Sequence, residues 1–330
     1  MQYYITGLLV YFGIDVLSAL SLNLQYAYAG VPNFAYIVFV AAGAYIAGVT
    51  SLGPPGPLAS QHYILGASLP FPLPLVAAAL AGGLLSLVLG PFILRNLRED
   101  YQAAVMFILA IIASQIISTA TNVFNGANGI SDIPRPLHGA AGLNGMTYNW
   151  AYVVWVWVIC GITYLVVERL ARSGWGRALR AVRDQHVAAA SIGLNPTALR
   201  IQVFVFGGVI AGLAGGLLVE FIGAWSPSGW GYAETFIFFA AIIVGGLENN
   251  RGAVLGTLLI PIIFTELPAF LPAVGYPGLV DSLEWVVIGA IWIGFLGFRP
   301  RGLVPARRNT LARLGRLRTL KPGPLPHPPA

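Results

Sequence analysis

Residues able to do chemistry are sparse in this 330-residue chain, and few of them stand near one another. Asp15 and Glu266 fall inside apolar runs, while Glu220, Glu234 and Glu284 fall near the ends of others. A carboxylate at mid-membrane costs about 2.5–3.5 kcal/mol on insertion scales, so each acid inside a run is a candidate proton or cation site. Neither Asp15 nor Glu266 has a basic residue in its own or a neighbouring run, which leaves a hydrogen-bonded or protonated packing role open beside an ion-coupled one. His62, His138, His186 and His327 are scattered, with no H-E-x-x-H, no G-x-S-x-G and no paired carboxylates on one helix face. No catalytic constellation follows from them, and no enzyme activity is expected. Cys160 is the single cysteine; it excludes an intrachain disulfide, and no further ligands are spaced beside it for a metal. The only lysine, Lys321, precedes proline, so this chain lacks the Lys-[Ser/Thr] of a nucleotide-binding P-loop.

The elements that carry these residues are set by composition. Hydrophobic residues make up 57% of the chain and charged ones 9%, with a mean hydropathy of +0.77. Soluble domains carry about 25% charged residues, so too few are present to cover a water-facing surface of this size. Forty glycines and 23 prolines spread through apolar runs suit membrane helices, which tolerate both better than soluble ones do. The fold class expected is therefore all-α, a polytopic transmembrane bundle over 1–298. Spans of about 20 residues are read near 4–22, 31–49, 73–94, 102–122, 149–167, 201–222, 234–247, 253–270 and 283–298. That makes about nine, with eight to ten allowed. Met1-Gln2-Tyr3-Tyr4 lacks a cationic start and runs directly into the first span, so no cleaved leader is expected.

The net charge of +6 is distributed in a way that tests this layout. With nine spans, Arg95, Arg98, the arginines of 168–200, Arg251 and the basic tail from Arg299 all fall on one side, leaving Arg135 alone opposite. The positive-inside rule then places the C-terminus in the cytoplasm and the N-terminus outside. The tail, 299–330, is basic and ends in a proline-rich stretch that cannot form a packed core, so disorder beside anionic lipid is expected, not a nucleic-acid partner.

The longest cytoplasmic connection, 168–200, carries the most informative pattern. After the turn Ser173-Gly174-Trp175-Gly176, Leu179, Val182, Ala189 and Ile192 recur at roughly helical spacing. Arg180 and Asp184 form an i,i+4 pair off that stripe, Gly193 can end the helix, and Asn195-Pro196 redirects the chain. A short helix outside the membrane suits docking into a groove on a cytoplasmic partner, or resting on the lipid surface.

The run Gly176-Arg177-Ala178-Leu179-Arg180-Ala181-Val182-Arg183-Asp184, followed by Ala188-Ala189 and Gly193, resembles the coupling loop of ABC-importer permeases of the branched-chain amino-acid type (LivM-like subunits), G-R-A-L-R-A-I-R-E-x-x-x-A-A-x-x-x-G. Blocks at Ser21–Gly48, Leu97–Phe107, Thr121–Ile130 and Ile242–Leu259 are similar to further family stretches in the same order. The last resembles G-G-L-G-S-x-x-G-P-x-L-G, with Glu248 and Asn249 departing from it. The resemblance implies a transport subunit that binds no cofactor of its own. ATP and Mg would be bound and hydrolysed on separate ATPase subunits docked at Arg177, Arg180, Arg183, Asp184, His186, Ala188, Ala189 and Gly193. It further implies a second related permease, as heterodimer or homodimer, and an external binding protein that delivers the substrate. Urea or short-amide permeases are close relatives, and an ion-coupled secondary transporter using Asp15 or Glu266 is the alternative class. For a zwitterionic substrate, transient polar contacts are expected from Asn23, Gln25 and Asn33 around Gly30-Val31-Pro32, and from Ser114, Gln115, Ser118 and Thr119. Gly208, Gly212 and Gly216, at four-residue spacing, give one face of a span on which another backbone can pack closely.

Overall fold

A computed structural model describes residues 2–55, 61–136, 145–266, 279–299 and 302–305. Helix is the only regular structure among them: α1 (Gln2–Leu22), continued by a π-helical run (Asn23–Tyr28), α2 (Tyr36–Ser51), α3 (Leu73–Asn96), α4 (Glu99–Thr119), α5 (Thr121–Phe124), α6 (Gly145–Arg172), α7 (Gly174–Asp184), α8 (His186–Ser191), α9 (Pro196–Ile222), α10 (Tyr232–Gly245), α11 (Asn250–Thr257), a second π-helical run (Leu258–Glu266) and α12 (Leu279–Phe298). Among the described residues six runs are long and apolar enough to cross a membrane: Gln2–Tyr28, Leu73–Asn96, Tyr101–Thr119, Gly145–Arg172, Pro196–Ile222 and Pro227–Gly245. Helix α2 is apolar but only 16 residues long. The expected span 253–270 differs most. Its described part, 253–266, is the end of α11 running directly into the second π-helical run, where Pro261 cannot supply an α-helical N–H and the wider turn accommodates its ring; 267–270 lie outside the described residues.

Helix α9 is the axis of the bundle because glycine lines two of its faces. Toward α3, Gly208 and Gly212 lie against Gly82, Ser86 and Ala78, and Gly216 lies against Ala78 and Leu75. Toward α2, Gly212 meets Gly43, and Gly215 meets the Val40 carbonyl. Lipid removes most of the hydrophobic drive for helices to associate, so close backbone approach and dispersion have to supply it. Helix α1 packs on α6 through Gly13 against Val156 and Phe12 against Trp157, whose Nε1 donates to the Leu9 carbonyl at 3.1 Å. Helices α10 and α11 fold back on each other at Gly245, Gly252 and Gly256, and Trp292 of α12 meets Phe236 of α10.

The connections sort into two groups at opposite ends. At one end, Ile64 N–H donates to Val123, Ile130 and Trp225 exchange two backbone bonds of 2.8 Å, and Ile133 N–H donates to Gly223. This end joins the segments after α2, α4 and α9, and Tyr3 and Arg135 line one cavity there. At the other end the segments after α1, α3, α6 and α10 meet, and Leu303 and Val304 donate to Val244 and Gly245. Alternate crossing of a membrane gives this partition. Of the tail expected to be disordered, 302–305 is thus bonded to the end of α10, and 306–330 lies outside the described residues.

A methyl group at position 212 would press on backbone atoms of Ala78 and Gly82 in α3, which cannot rotate away, whereas Gly161 of α6 has open space. Gly212→Ala is expected to destabilise by about 1–3 kcal/mol, as overpacking does, and Gly161→Ala to be neutral. Thermal unfolding of the purified chain in detergent checks this through a lower Tm for the first variant alone.

Candidate functional site

The loop between α6 and α9 is built as two helices, where the sequence pattern predicts one. Helix α7 buries Gly176, Leu179 and Val182. At Gln185 the backbone extends (φ −151°, ψ 84°), and α8 sets off in a new direction with Ala189 as its one buried residue. His186 and Val187 are weak helix formers, which makes this the least costly place to break. The break corrects the expected stripe: Ile192 is 74% exposed, not buried, because it follows the change of axis and precedes Gly193 at φ +86°. Gly193 N–H donates to Ala190 and Leu194 N–H to Ala189, closing the helix, and the Asn195 side chain caps α9 by accepting from Ala198 N–H at 3.0 Å. The outer surface of α8 presents His186, Val187, Ala188, Ala190 and Ser191 to solvent, with Val187 81% exposed. Arg177 and Asp184 are exposed on α7.

The arginines of α7 do not pair as their spacing suggests. Arg180 and Asp184 are separated by the demands of their neighbours: Arg180 donates to the Ala171 carbonyl and lies 5.5 Å over the Tyr28 ring. Arg183 takes the Asp184 carboxylate at 2.7 Å and also reaches inward to Glu248 Oε1 at 2.6 Å and to the Ala27 carbonyl. Burial draws the Arg183 guanidinium down, but its hydrogen bonds to Asp184 and Glu248 outweigh this and hold it above its ordinary range. It is therefore charged at any working pH.

Glu248 and Asn249, which depart from the resembled pattern, acquire physical reasons here. Glu248 stands where the pattern has glycine and adopts φ +62°, the left-handed region that glycine occupies without strain. Tyr28 Oη donates to its carbonyl at 2.7 Å, and its N–H donates to Asn23 Oδ1 at 3.3 Å. Asn249, where the pattern has serine, accepts from Arg251 and Gly252 N–H as the cap of α11 and donates to the Val304 and Pro305 carbonyls. Asn250 is buried between Asn23 and Glu168, donating to Glu168 Oε2 at 2.7 Å and accepting from Asn23 Nδ2 at 3.0 Å. Arg200, buried at the base of α9, donates to Gln102 and Gly30. Sequence reasoning did not assemble this junction of Tyr28, Gln102, Glu168, Arg183, Arg200, Glu248 and Asn250; its one available signal was the departure at 248 and 249.

The polar residues proposed for a path separate into two groups. Gln25 and Asn33 are buried where the chain breaks after α1: Asn33 donates to Gln25, Gln25 to Ser21, and Ser21 to the Gly207 carbonyl. The Asn33 Oδ1 in that chain has no hydrogen-bond partner. Asn23 belongs instead to the junction with Asn250. Ser114 and Ser118 lie seven and eleven residues beyond Phe107 and so on its face of α4, and Phe107 meets Tyr232 and Phe236 of α10 at 5.1 and 6.0 Å. Gln115 and Thr119 are exposed on other faces. Asp15 is half-buried on α1, and the side chain of Glu266 lies outside the described residues. Among the described residues no three His, Cys, Asp or Glu are grouped to hold a metal, and Cys160 is a buried free thiol.

A bundle of apolar helices, with arginine-bearing loops gathered at one end and two short helices lying there, defines a multi-pass membrane protein of the permease kind. The chain belongs to the family of branched-chain amino acid transport system permease components, whose profile matches residues 4–296. It is 28% identical over 336 residues to the probable branched-chain amino acid transport permease LivM of Methanocaldococcus jannaschii, covering 92% of this chain and 94% of that protein. It is 27% identical to the high-affinity branched-chain amino acid permease LivM of Salmonella typhimurium, covering 90% and 69%. A probable LivH permease of M. jannaschii is 28% identical over 93% of this chain and 94% of its own length. No solved structure matches the chain.

Replacing Asn249 by alanine removes the α11 cap and the hold on 304–305, and is expected to cost at least the ~1 kcal/mol typical of a lost cap. Asn249→Ser restores the cap but not the reach to Val304. Tm in detergent should therefore fall in the order wild type, Asn249→Ser, Asn249→Ala.

Proposed function

We propose that this chain is the membrane permease subunit of an ATP-driven importer that moves branched-chain amino acids delivered by an external binding protein. ATP and Mg are bound and hydrolysed on separate cytoplasmic subunits that dock on α8 and the exposed face of α7, through Arg177, Asp184, His186, Ala188 and the turn at Gly193. The observation that carries this reading is the exposure of two large apolar side chains, Val187 and Ile192, on a polar loop at the arginine-bearing end of the molecule. Apolar side chains presented together outside the apolar spans mark an interaction surface, and family membership indicates its partner.

The C-terminus then lies on the cytoplasmic side with the ATPase subunits, and the N-terminus lies outside with Arg135. A second permease completes the translocation unit. Similarity to both LivM and LivH relatives supports a LivH-like partner in a heterodimer. Substrate passes by transient contacts with polar groups such as Gln25 and Asn33, where α1 ends in a π-helical run and the chain breaks. Substrate choice rests mainly with the binding protein.

Co-purification from native membranes in mild detergent tests docking, and uptake of radiolabelled leucine, isoleucine and valine into proteoliposomes tests the cargo. Val187→Asp with Ile192→Asp is expected to reduce ATPase-subunit recovery by about tenfold, as loss of an interface centre does, with the permease itself accumulating normally. Full recovery with that double variant, or a wild-type chain that carries no ATPase subunit, overturns the reading.

A further inference from the structure

The docking loop touches the rest of the molecule in two chemically different ways. Some contacts return to helices with which it is continuous in the chain: Arg180 to the end of α6, and Trp175 Nε1 to Gln202 of α9 at 3.1 Å. These hydrogen bonds tie the loop to its own flanks, and Arg180 adds only a ring contact beyond them, over Tyr28 at 5.5 Å. Arg183 does otherwise. Its guanidinium bridges to Glu248, 65 residues away at the turn between α10 and α11, and to the Ala27 carbonyl in the π-helical end of α1. The stem of Arg183 also lies against Gly30, at φ +69°, where a Cβ would come within 2.9 Å of Arg183 Cγ.

Both partners of the bridge are about a quarter exposed, 24% and 26%, so solvent screens the pair only in part. Glu248 is itself held on both sides, by Tyr28 at its carbonyl and Asn23 at its N–H. It retains a left-handed backbone that costs roughly 1–2 kcal/mol for a residue with a side chain. Glycine would remove that cost and with it the carboxylate. The adjoining residues extend the connection: Asn249 holds 304–305, and Asn250 holds Asn23 and Glu168.

We propose that Arg183 and Glu248 form the link that carries displacement of the docking loop to the α10–α11 turn and the broken end of α1. Arg183 is a positioning residue: it holds those membrane elements in register with α7 and touches neither nucleotide nor substrate. Helix α8, hinged at Gln185, takes up the contact with the ATPase subunit, and α7 passes the movement inward through this bridge. The inference rests on the reading of 168–200 as the docking loop.

The test uses the full assembled importer in proteoliposomes, with three readouts: recovery of ATPase subunits, ATP hydrolysis, and leucine uptake per ATP hydrolysed. Arg183→Glu and Glu248→Arg singly are expected to lower uptake per ATP about tenfold, with ATPase subunits still bound, and the double exchange to recover at least half of it, the non-additivity of a direct pair. Glu248→Gly separates a merely structural role from this one: it should unfold no earlier than wild type, because the backbone strain is relieved, and still lose coupling. Glu248→Gln, which keeps a hydrogen bond without charge, should fall between Glu248→Gly and wild type. If the reversals fail to accumulate, the glycine and glutamine variants decide. Wild-type uptake per ATP in the single variants, or a double exchange no better than either, overturns the link while leaving the docking reading intact. A wild-type chain that retains no ATPase subunit, or takes up no leucine, overturns the function and this inference with it.

Discussion

Close backbone contact along α9 is the constraint on which the rest of the bundle depends. Gly207, Gly208, Gly212, Gly215 and Gly216 put no side chain of their own between this helix and its neighbours, and α1, α2 and α3 are brought to it on different faces. In lipid an apolar side chain gains little by turning from a hydrocarbon tail to another helix, so shape must do what hydrophobicity does in water. Some of the polar groups admitted to this core bond to backbone across the contact. Ser21 donates to the Gly207 carbonyl and Tyr152 to the Leu217 carbonyl, at 2.8 and 2.6 Å. The same glycines that allow close approach therefore leave carbonyls within reach of a neighbour's hydroxyl.

Around that core the two ends are organised differently. The arginine-bearing end gathers segments from the end of α1, α6, α7 and the chain after α12 about one turn, 246–250, between α10 and α11. The α10–α11 hairpin supports it by folding back on glycine contacts, so the turn projects as a compact unit with its side chains free to reach outward. Two π-helical runs flank this region in sequence, one at the end of α1 and one beyond α11. A π turn widens the helix and shifts the register of everything that follows, which is how Asn23 faces Asn250 while Gln25 faces the Gly207 region.

Much of this was legible in the sequence, for reasons that differ by element. Helix positions follow from apolar runs of the right length, and the partition of arginines gave the same two ends that the connections form. Gly193 and Asn195 as a stop and a start are local chemistry and hold at those residues. The glycine spacing at 208, 212 and 216 indicated a smooth face, although not that α3 fills it. What periodicity could not see was direction. A break at Gln185 depends on where α7 must sit, so Ile192 was placed on the wrong face and Arg180 was given a partner that Arg183 holds. Likewise, Glu248 and Asn249 read as departures from a pattern until the positive φ and the α11 cap supplied what each position asks for. The eighth expected span, around Pro261, is the case where hydropathy identifies an apolar segment but cannot distinguish an α-helix from one that widens into π-helical turns.

The contrast between the two ends bears on how this chain can change over time. The end that carries Arg135 is stitched by main-chain bonds, Ile130 with Trp225 and Ile133 with Gly223, which nearly any side chain leaves intact. Its surface can be rewritten one residue at a time to suit whatever it faces. The opposite end adds to the main-chain bonds of 303–304 a set of side chains of fixed identity, so a change at one of those residues strands a partner in another helix. Drift at that end has to proceed by paired replacements. Its partly exposed charges also make its cohesion sensitive to ionic strength, a dependence that main-chain stitching does not share.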